Sequence, residues 1–558
     1  MQLRLNTLKQ LSAKQFYLSI LISIYVGALL NSINFYRAYN VGGLHDGYQI
    51  TLSLVVMVVF CFFLLELSSL LGRHSYRLMA SVLILISAAA SYYMIFFNVV
   101  IGYGVIASVF KVTDVELASE SVGNNFVWWV VFFGLLPVIL LYLTKITTTF
   151  WNQVFSRSRG LVVIALLIGS VFIIKTSVET IDDMGLKKFK TQNRYTAIPS
   201  GVMTSSYLPT NWIAGGLMFA YHELNSEQRD LINPAEQFSY TESSSMDDTY
   251  VVFVLGETTR GDHMQILGYE RETNPLLSLE QNLVVLDGLA CDTATLMAMR
   301  CMFVRQGAAD DSHQRNVSEH NIFYVLSDLG FSSELYAMQS EVWFYNAIGA
   351  DHYVMRETLA ANLNPEVKNF DDMVLLEPLR KSVANHPNGK HLTILHTKGS
   401  HYSYTQRYPR DFAHFKPECE SIDQGCSKEQ LINSFDNSIR YVDLFMKRVF
   451  DELRDKKAIV FYAADHGESI DTNSHFHATP KEIAPAEQFS VPIMVWASDS
   501  YLEDTKRNQA FNHLKQMQTN GEQAIHEEIF DSMLGCLGFT SNDGGINQDN
   551  NWCSGNTN

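Results

Sequence analysis

The sequence predicts two parts of different class: an N-terminal all-α membrane domain with five spans, and a C-terminal exported α/β domain whose sheet is covered on both faces. Three observations predict it. Apolar runs long enough to cross a bilayer crowd before residue 180, short β-branched runs alternate with helical stretches from residue 247 onward, and six of the seven cysteines lie in that later part.

The 558 residues are 47% hydrophobic and 12% aromatic, enough for more than one domain. A formal net charge of -17 excludes nucleic acid as a partner, because phosphate-backbone binding needs clustered Lys and Arg. The apolar runs centre on 16–36, 50–71, 78–101, 126–143 and 160–174. The first is followed at once by more runs, which separates it from a cleaved signal peptide. Lys and Arg gather on the cytoplasmic side of membrane helices. Arg4, Lys9 and Lys14 precede the first run, Arg73 and Arg77 follow the second, and Lys145, Arg157 and Arg159 follow the fourth. The N-terminus is therefore expected inside, and everything after the fifth run outside. Tyr92, Tyr93, Phe96, Phe97, Trp128 and Trp129 suit an aromatic belt or ordinary span packing equally.

The cysteines test that topology. Cys61 lies inside the second run as a small apolar residue, whereas Cys291, Cys301, Cys419, Cys426, Cys536 and Cys553 lie in the exported part. An even number outside the cytoplasm reads as disulfides, of which the local pairings 291–301, 419–426 and 536–553 are the simplest of fifteen. No Cys-x2-Cys spacing supports a zinc finger.

The expected organisation is thus 1–175 membrane domain, 176–246 linker and 247–558 catalytic domain. The linker contains "SSYLPTNWIAGGLMFAYHEL", with helical apolar spacing and Trp212 and Phe219 as interfacial anchors, or as contacts of a helix packed on the globular domain. No internal repeat is present.

In the α/β part, "TYVVFVLGE", "HLTILHTKG", "KAIVFYAADHGE" and "VPIMVWAS" read as buried strands. Ligands of such sheets bind beyond the carboxyl ends of the strands. Three of the four end in ligand-capable residues: Glu257, then His396 with His401, then Asp465 with His466. Each alone is as readily a capping carboxylate or a satisfied core histidine; together they converge. Glu, Asp and His suit a divalent ion such as Zn2+, or Mn2+ as the alternative.

A further stretch, "CDTATLMAMRC", places Thr293 and Thr295 where helix-forming sequence begins. Either Thr or Asp292 is a natural helix cap. A hydroxyl beside Glu257, Asp465 and His466 would also complete a metal site, and Thr295 would then ionise readily as a nucleophile. His396, His401 and His477 are placed to hold phosphate or a second metal and to move protons.

The combination "GETTRGDHMQILGYERETNP", "CDTATLMAMRCMF", "HTKGSHYSYTQRYP" and "AADHGES" behind a multi-span anchor resembles the membrane phosphoethanolamine transferases of Gram-negative bacteria. "ASYYMIFFNVVIGYGVIASVF" and "LGCLGFTSNDGGINQDNNWC" most resemble the branch that modifies the Kdo sugar of Kdo-lipid A. The resemblance implies an alkaline-phosphatase-like, sulfatase-type fold with one tight zinc site and room for a second ion. It assigns metal ligation to Glu257, Thr295, Asp465 and His466, the nucleophile to Thr295, and substrate phosphate or a second metal to His396, His401 and His477. It sets Glu468 near the ethanolamine and Ser340 near a donor-contacting serine. Asp292 stands where the lipid A branch usually has Gly. The implied reaction moves phosphoethanolamine from phosphatidylethanolamine to lipopolysaccharide through a Thr295 intermediate, releasing diacylglycerol. The implied setting is a monomer among inner-membrane lipids, its catalytic domain periplasmic. Transfer to lipid A phosphates, or another group moved by the same superfamily, are alternatives that the products distinguish.

Overall fold

A computed structural model describes residues 12–40, 47–97, 99, 101–111, 122–147, 168, 207–225, 230–311, 315–362, 370–420, 425–471, 474–479, 481 and 484–554. They fall into two units, Met1–Ile106 with Val122–Leu224, and Ala107–Ser121 with Asn225–Asn558.

The first unit is helical. Its helices run Gln15–Ile24 continuing through a wider turn to Leu29, then Ser32–Asn40, Gly47–Ser69, Arg73–Phe96, Asn124–Leu143 in three joined segments, and Thr210–Asn225; the helix Tyr103–Lys111 straddles the division at Ile106. Gly27 lets two of them touch, since a Cβ there would stand 2.7 Å from the Val58 nitrogen. Buried polar groups pair across helices, as Ser19 Oγ donates to Glu66 Oε1 at 2.7 Å. Tyr92 packs its ring against Phe96, Phe97, Phe126 and Trp129, while Phe96 and Trp128 remain exposed.

Two of the described helices, Arg73–Phe96 and Asn124–Leu143, are long and apolar enough to cross a membrane, and Gln15–Leu29 and Ser53–Ser69 are shorter apolar helices. These helices give an apolar, helical N-terminal part and do not by themselves fix the number of spans at five among the described residues. The run at 16–36 breaks because Asn31 turns back to the Gly27 carbonyl at 3.1 Å and exchanges hydrogen bonds with the Leu208 backbone at 2.8 and 2.9 Å. The run at 160–174 lies, apart from residue 168, outside the described residues. The stretch read as a linker is divided. Trp212 Nε1 donates to Ser87 Oγ at 3.1 Å, which seats Thr210–Asn225 among the N-terminal helices, while Thr241–Glu242 pairs with Phe539–Thr540.

The second unit is built on eight strands: β1 Thr249–Gly256, β2 Leu283–Leu289, β3 Ser332–Ala337, β4 His352–Val354, β5 His391–His396, β6 Lys457–Ala464, β7 Ser490–Ala497 and β8 Ala524–Ile525. Their order is β8-β2-β7-β6-β1-β5-β3-β4, with β7 antiparallel to both neighbours and every other pair parallel. Alternation along each strand divides the core between the faces. Val251, Phe253 and Leu255 face one cluster with Met299, Phe303 and Phe323; Tyr250, Val252 and Val254 face another with Phe435, Ile439 and Val442. The second cluster is closed by the helix Lys428–Leu453, which starts at a capping box of Ser427 and Gln430. Because all strands but β7 run the same way, β1, β2, β3, β5 and β6 deliver their carboxyl ends to one edge of the sheet.

Candidate active site

That edge gathers the residues singled out from the sequence. Glu257 follows β1, where Gly256 is required because a Cβ would stand 2.2 Å from the Tyr462 hydroxyl. Thr258 takes a left-handed φ of 56°, a conformation costly for a β-branched residue. Its contacts hold it there: its N–H donates to Asp465 Oδ1 at 3.1 Å and its hydroxyl to Glu257 Oε1 at 2.6 Å. Asp465 and His466 follow β6. Asp465 Oδ1 also accepts the His466 N–H at 2.8 Å, whereas Oδ2 is buried without a hydrogen-bond partner and lies 3.3 Å from His466 Nε2. His466 Nδ1 contacts the Gly467 carbonyl at 2.8 Å, so Nδ1 carries the proton and Nε2 presents its lone pair to the site.

Thr295 opens the helix Thr295–Cys301. Its Oγ1 stands 3.1 Å from His466 Nε2 and 3.4 Å from Glu257 Oε2. The capping expectation for its neighbours is corrected: Ala294 is the cap and makes no side-chain bond, while the Thr293 hydroxyl donates to the Thr479 carbonyl and the Thr293 carbonyl accepts Ala478 N–H at 2.7 Å. Thr293 therefore ties the turn to the loop carrying His477. Asp292 is not a stray carboxylate, since Arg315 Nε reaches it at 3.1 Å and the same guanidinium donates to the Cys291 carbonyl. The disulfides are the local ones, Cys291–Cys301, Cys419–Cys426 and Cys536–Cys553. The first closes the helix Thr295–Cys301 against the core.

Glu257, Asp465 and His466 present ligand atoms within 4.8 Å of one another, and so do Glu257, His401 and His477. The His477 ring lies 4.3 Å from that of His466 and 5.4 Å from that of His401. His401 is seated by Gly399, at φ 51°, where a Cβ would meet the Glu257 carbonyl at 2.4 Å. Glu468 lies beneath, buried, 3.4 Å from His477 Nδ1, its backbone carbonyl accepting Arg260 Nη1 at 3.0 Å. His396 belongs to neither ligand group: its Nδ1 bonds the Tyr345 hydroxyl at 2.8 Å, while its Nε2 is buried without a hydrogen-bond partner. Ser340 is likewise buried with its hydroxyl given to Glu357 at 2.9 Å.

Electrostatics describe a site built for a cation. Burial, then the neighbouring Asp465 carboxylate, raise the Glu257 carboxyl well above its usual range. Burial lowers His466 and His401, and pushes His477 down to about 4, so the imidazoles are neutral lone-pair donors at pH 7. Two buried carboxylates face one another with an unpartnered oxygen between them, an arrangement that a divalent ion relieves. The donor set of two carboxylates, one imidazole and one hydroxyl fits such a metal.

Sequence reasoning missed Gln339, whose Nε2 donates to Glu257 Oε2 at 3.1 Å. It also missed His526, which accepts Cys291 N–H at 3.4 Å through Nδ1 and bonds the Ala464 carbonyl at 2.9 Å through Nε2. Each lies just beyond a strand, β3 and β8, that has no long apolar run to announce it.

Known proteins carry the same arrangement of parts. The family pattern described as Sulfatase matches residues 249–539, and that of Phosphoethanolamine transferase EptA/EptB matches 57–210. The chain is 48% identical to a Kdo(2)-lipid A phosphoethanolamine 7''-transferase of Escherichia coli (strain K12), over 97% of both chains. It is 26% identical to Phosphoethanolamine transferase EptA of the same strain, over 96% of this chain and 94% of that one. The solved integral membrane protein lipooligosaccharide phosphoethanolamine transferase A (EptA) from Neisseria meningitidis superposes with a TM-score of 0.80 at 24% identity, covering 97% of this chain and 98% of its own.

Proposed function

The chain belongs to the phosphoethanolamine transferases, and from that premise we propose that it transfers phosphoethanolamine from phosphatidylethanolamine to the Kdo sugar of Kdo-lipid A. The observation that carries the chemistry is the Thr295 hydroxyl, 3.1 Å from His466 Nε2 and 3.4 Å from Glu257 Oε2, at the edge where the ligand carboxylates meet. The reaction is two displacements. Thr295 Oγ1 bonds to phosphorus as the bond to the diacylglycerol oxygen breaks; a Kdo hydroxyl then bonds to phosphorus and Thr295 is released. Each step takes a proton from the attacking hydroxyl and returns one to the leaving oxygen. His401 and His477, neutral and adjacent, donate N–H groups to phosphate oxygens and carry that proton. Glu468 meets the ethanolamine.

Glu257, Thr295, Asp465 and His466 would hold the ion, with zinc chosen over Mn2+ because a four-donor set containing an imidazole suits it. The ion when bound supplies Lewis-acid stabilisation of charge at the phosphoryl oxygens and lowers the pKa of the hydroxyl. The N-terminal unit is a multi-pass inner-membrane anchor with its N-terminus in the cytoplasm and the catalytic unit in the periplasm. Donor and acceptor are both lipids, so an anchored enzyme meets them on one surface. The added ammonium reduces the negative field of the envelope and its attraction for cationic peptides.

Mass spectrometry of lipopolysaccharide from cells with and without this protein, with fragmentation to locate the added group, tests the reading. Phosphoethanolamine on Kdo is expected; finding it on the lipid A phosphates alone overturns the acceptor.

A further inference from the structure

We infer that Gln339 is a positioning residue for the carboxylate of Glu257 and, through it, for the nucleophile. Glu257 has two oxygens with different keepers. Oε1 accepts the Thr258 hydroxyl at 2.6 Å, from the next residue of the same turn. Oε2 accepts Gln339 Nε2 at 3.1 Å and faces the Thr295 hydroxyl at 3.4 Å. The amide is thus a restraint on this carboxylate that comes from a separate strand end, and it acts on the oxygen that the nucleophile shares.

The loop carrying Gln339 is fixed on both sides. Met338 N–H donates to the His396 carbonyl at 2.8 Å. Ser340 Oγ donates to Glu357 at 2.9 Å, and the Tyr345 hydroxyl meets His396 Nδ1 at 2.8 Å. His396 therefore serves the site as a brace for this loop. Gln339 itself is 5% exposed, so its reach is set by packing.

The residue type also fits the role. A lysine here would place a cation against Glu257 and compete with a metal, and an acid would add a third negative charge. An amide donates one hydrogen bond, orients the carboxylate and leaves its charge for the ion.

This inference rests on the metal-site reading above. Its test uses the full-length protein in detergent, as wild type, Gln339→Met, Gln339→Asn and Ser340→Ala. Zinc affinity is read by competition with a chromogenic chelator, and the thermal midpoint is read on metal-free protein. Both Gln339 variants should lose about tenfold or more in zinc affinity, as removal of outer-shell partners typically does, with the metal-free midpoint unchanged. Ser340→Ala removes one hold on the loop but keeps the amide, so it should lose less zinc affinity than either Gln339 variant. Wild-type affinity in both Gln339 variants overturns the inference. Loss of the metal-free fold in both also overturns it, by assigning the amide to the core. A wild type that binds no zinc sinks the metal reading and this inference with it.

Discussion

Among the described residues, two regions of the sheet carry groups with the composition of a metal site, and they behave differently. Glu257, Asp465 and His466 sit at the carboxyl edge of the sheet; Glu334, His386 and His391 sit toward its opposite end, with ligand atoms equally within 4.8 Å of one another. In the second, His391 gives both ring nitrogens to the Ser332 and Ser382 hydroxyls at 2.7 Å, Glu334 accepts the Tyr336 hydroxyl at 2.8 Å, and His386 Nδ1 is held by the Ser382 carbonyl at 2.8 Å. In the first, an Asp465 oxygen is buried without a hydrogen-bond partner and the Glu257 carboxyl lies close enough to the Asp465 carboxylate to be raised by it. Residue types alone do not make a site. Hydrogen-bonding capacity left unspent, at the edge where parallel strands converge, is what separates them.

The largest effect that sharpens this contrast is on metal binding. Glu257→Gln should abolish tight zinc binding, exceeding the 10–100-fold that outer-shell partners typically carry. The metal-free protein should meanwhile become more stable by on the order of 1 kcal/mol, because a buried carboxylate facing Asp465 is removed. Metal analysis by mass spectrometry and urea unfolding measure the two. A destabilised metal-free variant would break the claim that this cluster is held for function.

His391→Ala should show the reverse pattern. Zinc content and transfer should be unchanged, and stability should fall by about 1–3 kcal/mol because the Ser332 and Ser382 hydroxyls lose their shared partner in the interior. The same two measurements decide it. Loss of zinc in this variant would make the satisfied cluster a metal site after all.

A smaller effect comes with pH. Burial pushes His526 down to about 4, below the ordinary value near 6.5. As pH falls, the unfolded chain therefore takes up the proton first. The contribution of His526 is fully present above about pH 6.5 and is lost toward pH 4, up to about 3 kcal/mol. Urea midpoints of the wild type should decline over that window, and His526→Gln should flatten the decline. An unchanged slope would contradict the buried, neutral role of this ring between Cys291 and Ala464.

The parts of the fold that were legible are those whose signal is local. "TYVVFVLGE" and "KAIVFYAADHGE" announce β1 and β6 because each apolar run ends in ligand chemistry, and a parallel sheet brings such ends together. β3 was not legible: "SSELYA" alternates between buried and half-buried positions, with no apolar run to mark it, so Gln339 beyond it carried no signal. His396 holds the strand-end position of a ligand, and the partner of its Nδ1, Tyr345, is far away in sequence and carries no local signal. In the N-terminal unit the apolar runs were visible, whereas the break at Asn31 depends on Leu208, 177 residues on. Local pattern reveals which groups reach the edge; distant partners decide which remain free to react.

The most direct test of the central claim is to incubate the purified full-length protein with phosphatidylethanolamine and no acceptor, then measure intact mass and map the modified peptide. The account predicts a phosphoethanolamine adduct on Thr295 in the wild type. Thr295→Ala should show neither adduct nor transfer while keeping its fold, since the Thr295 hydroxyl is not the helix cap. A Thr295→Ala protein that still forms the adduct, or still transfers at the wild-type rate, would contradict it.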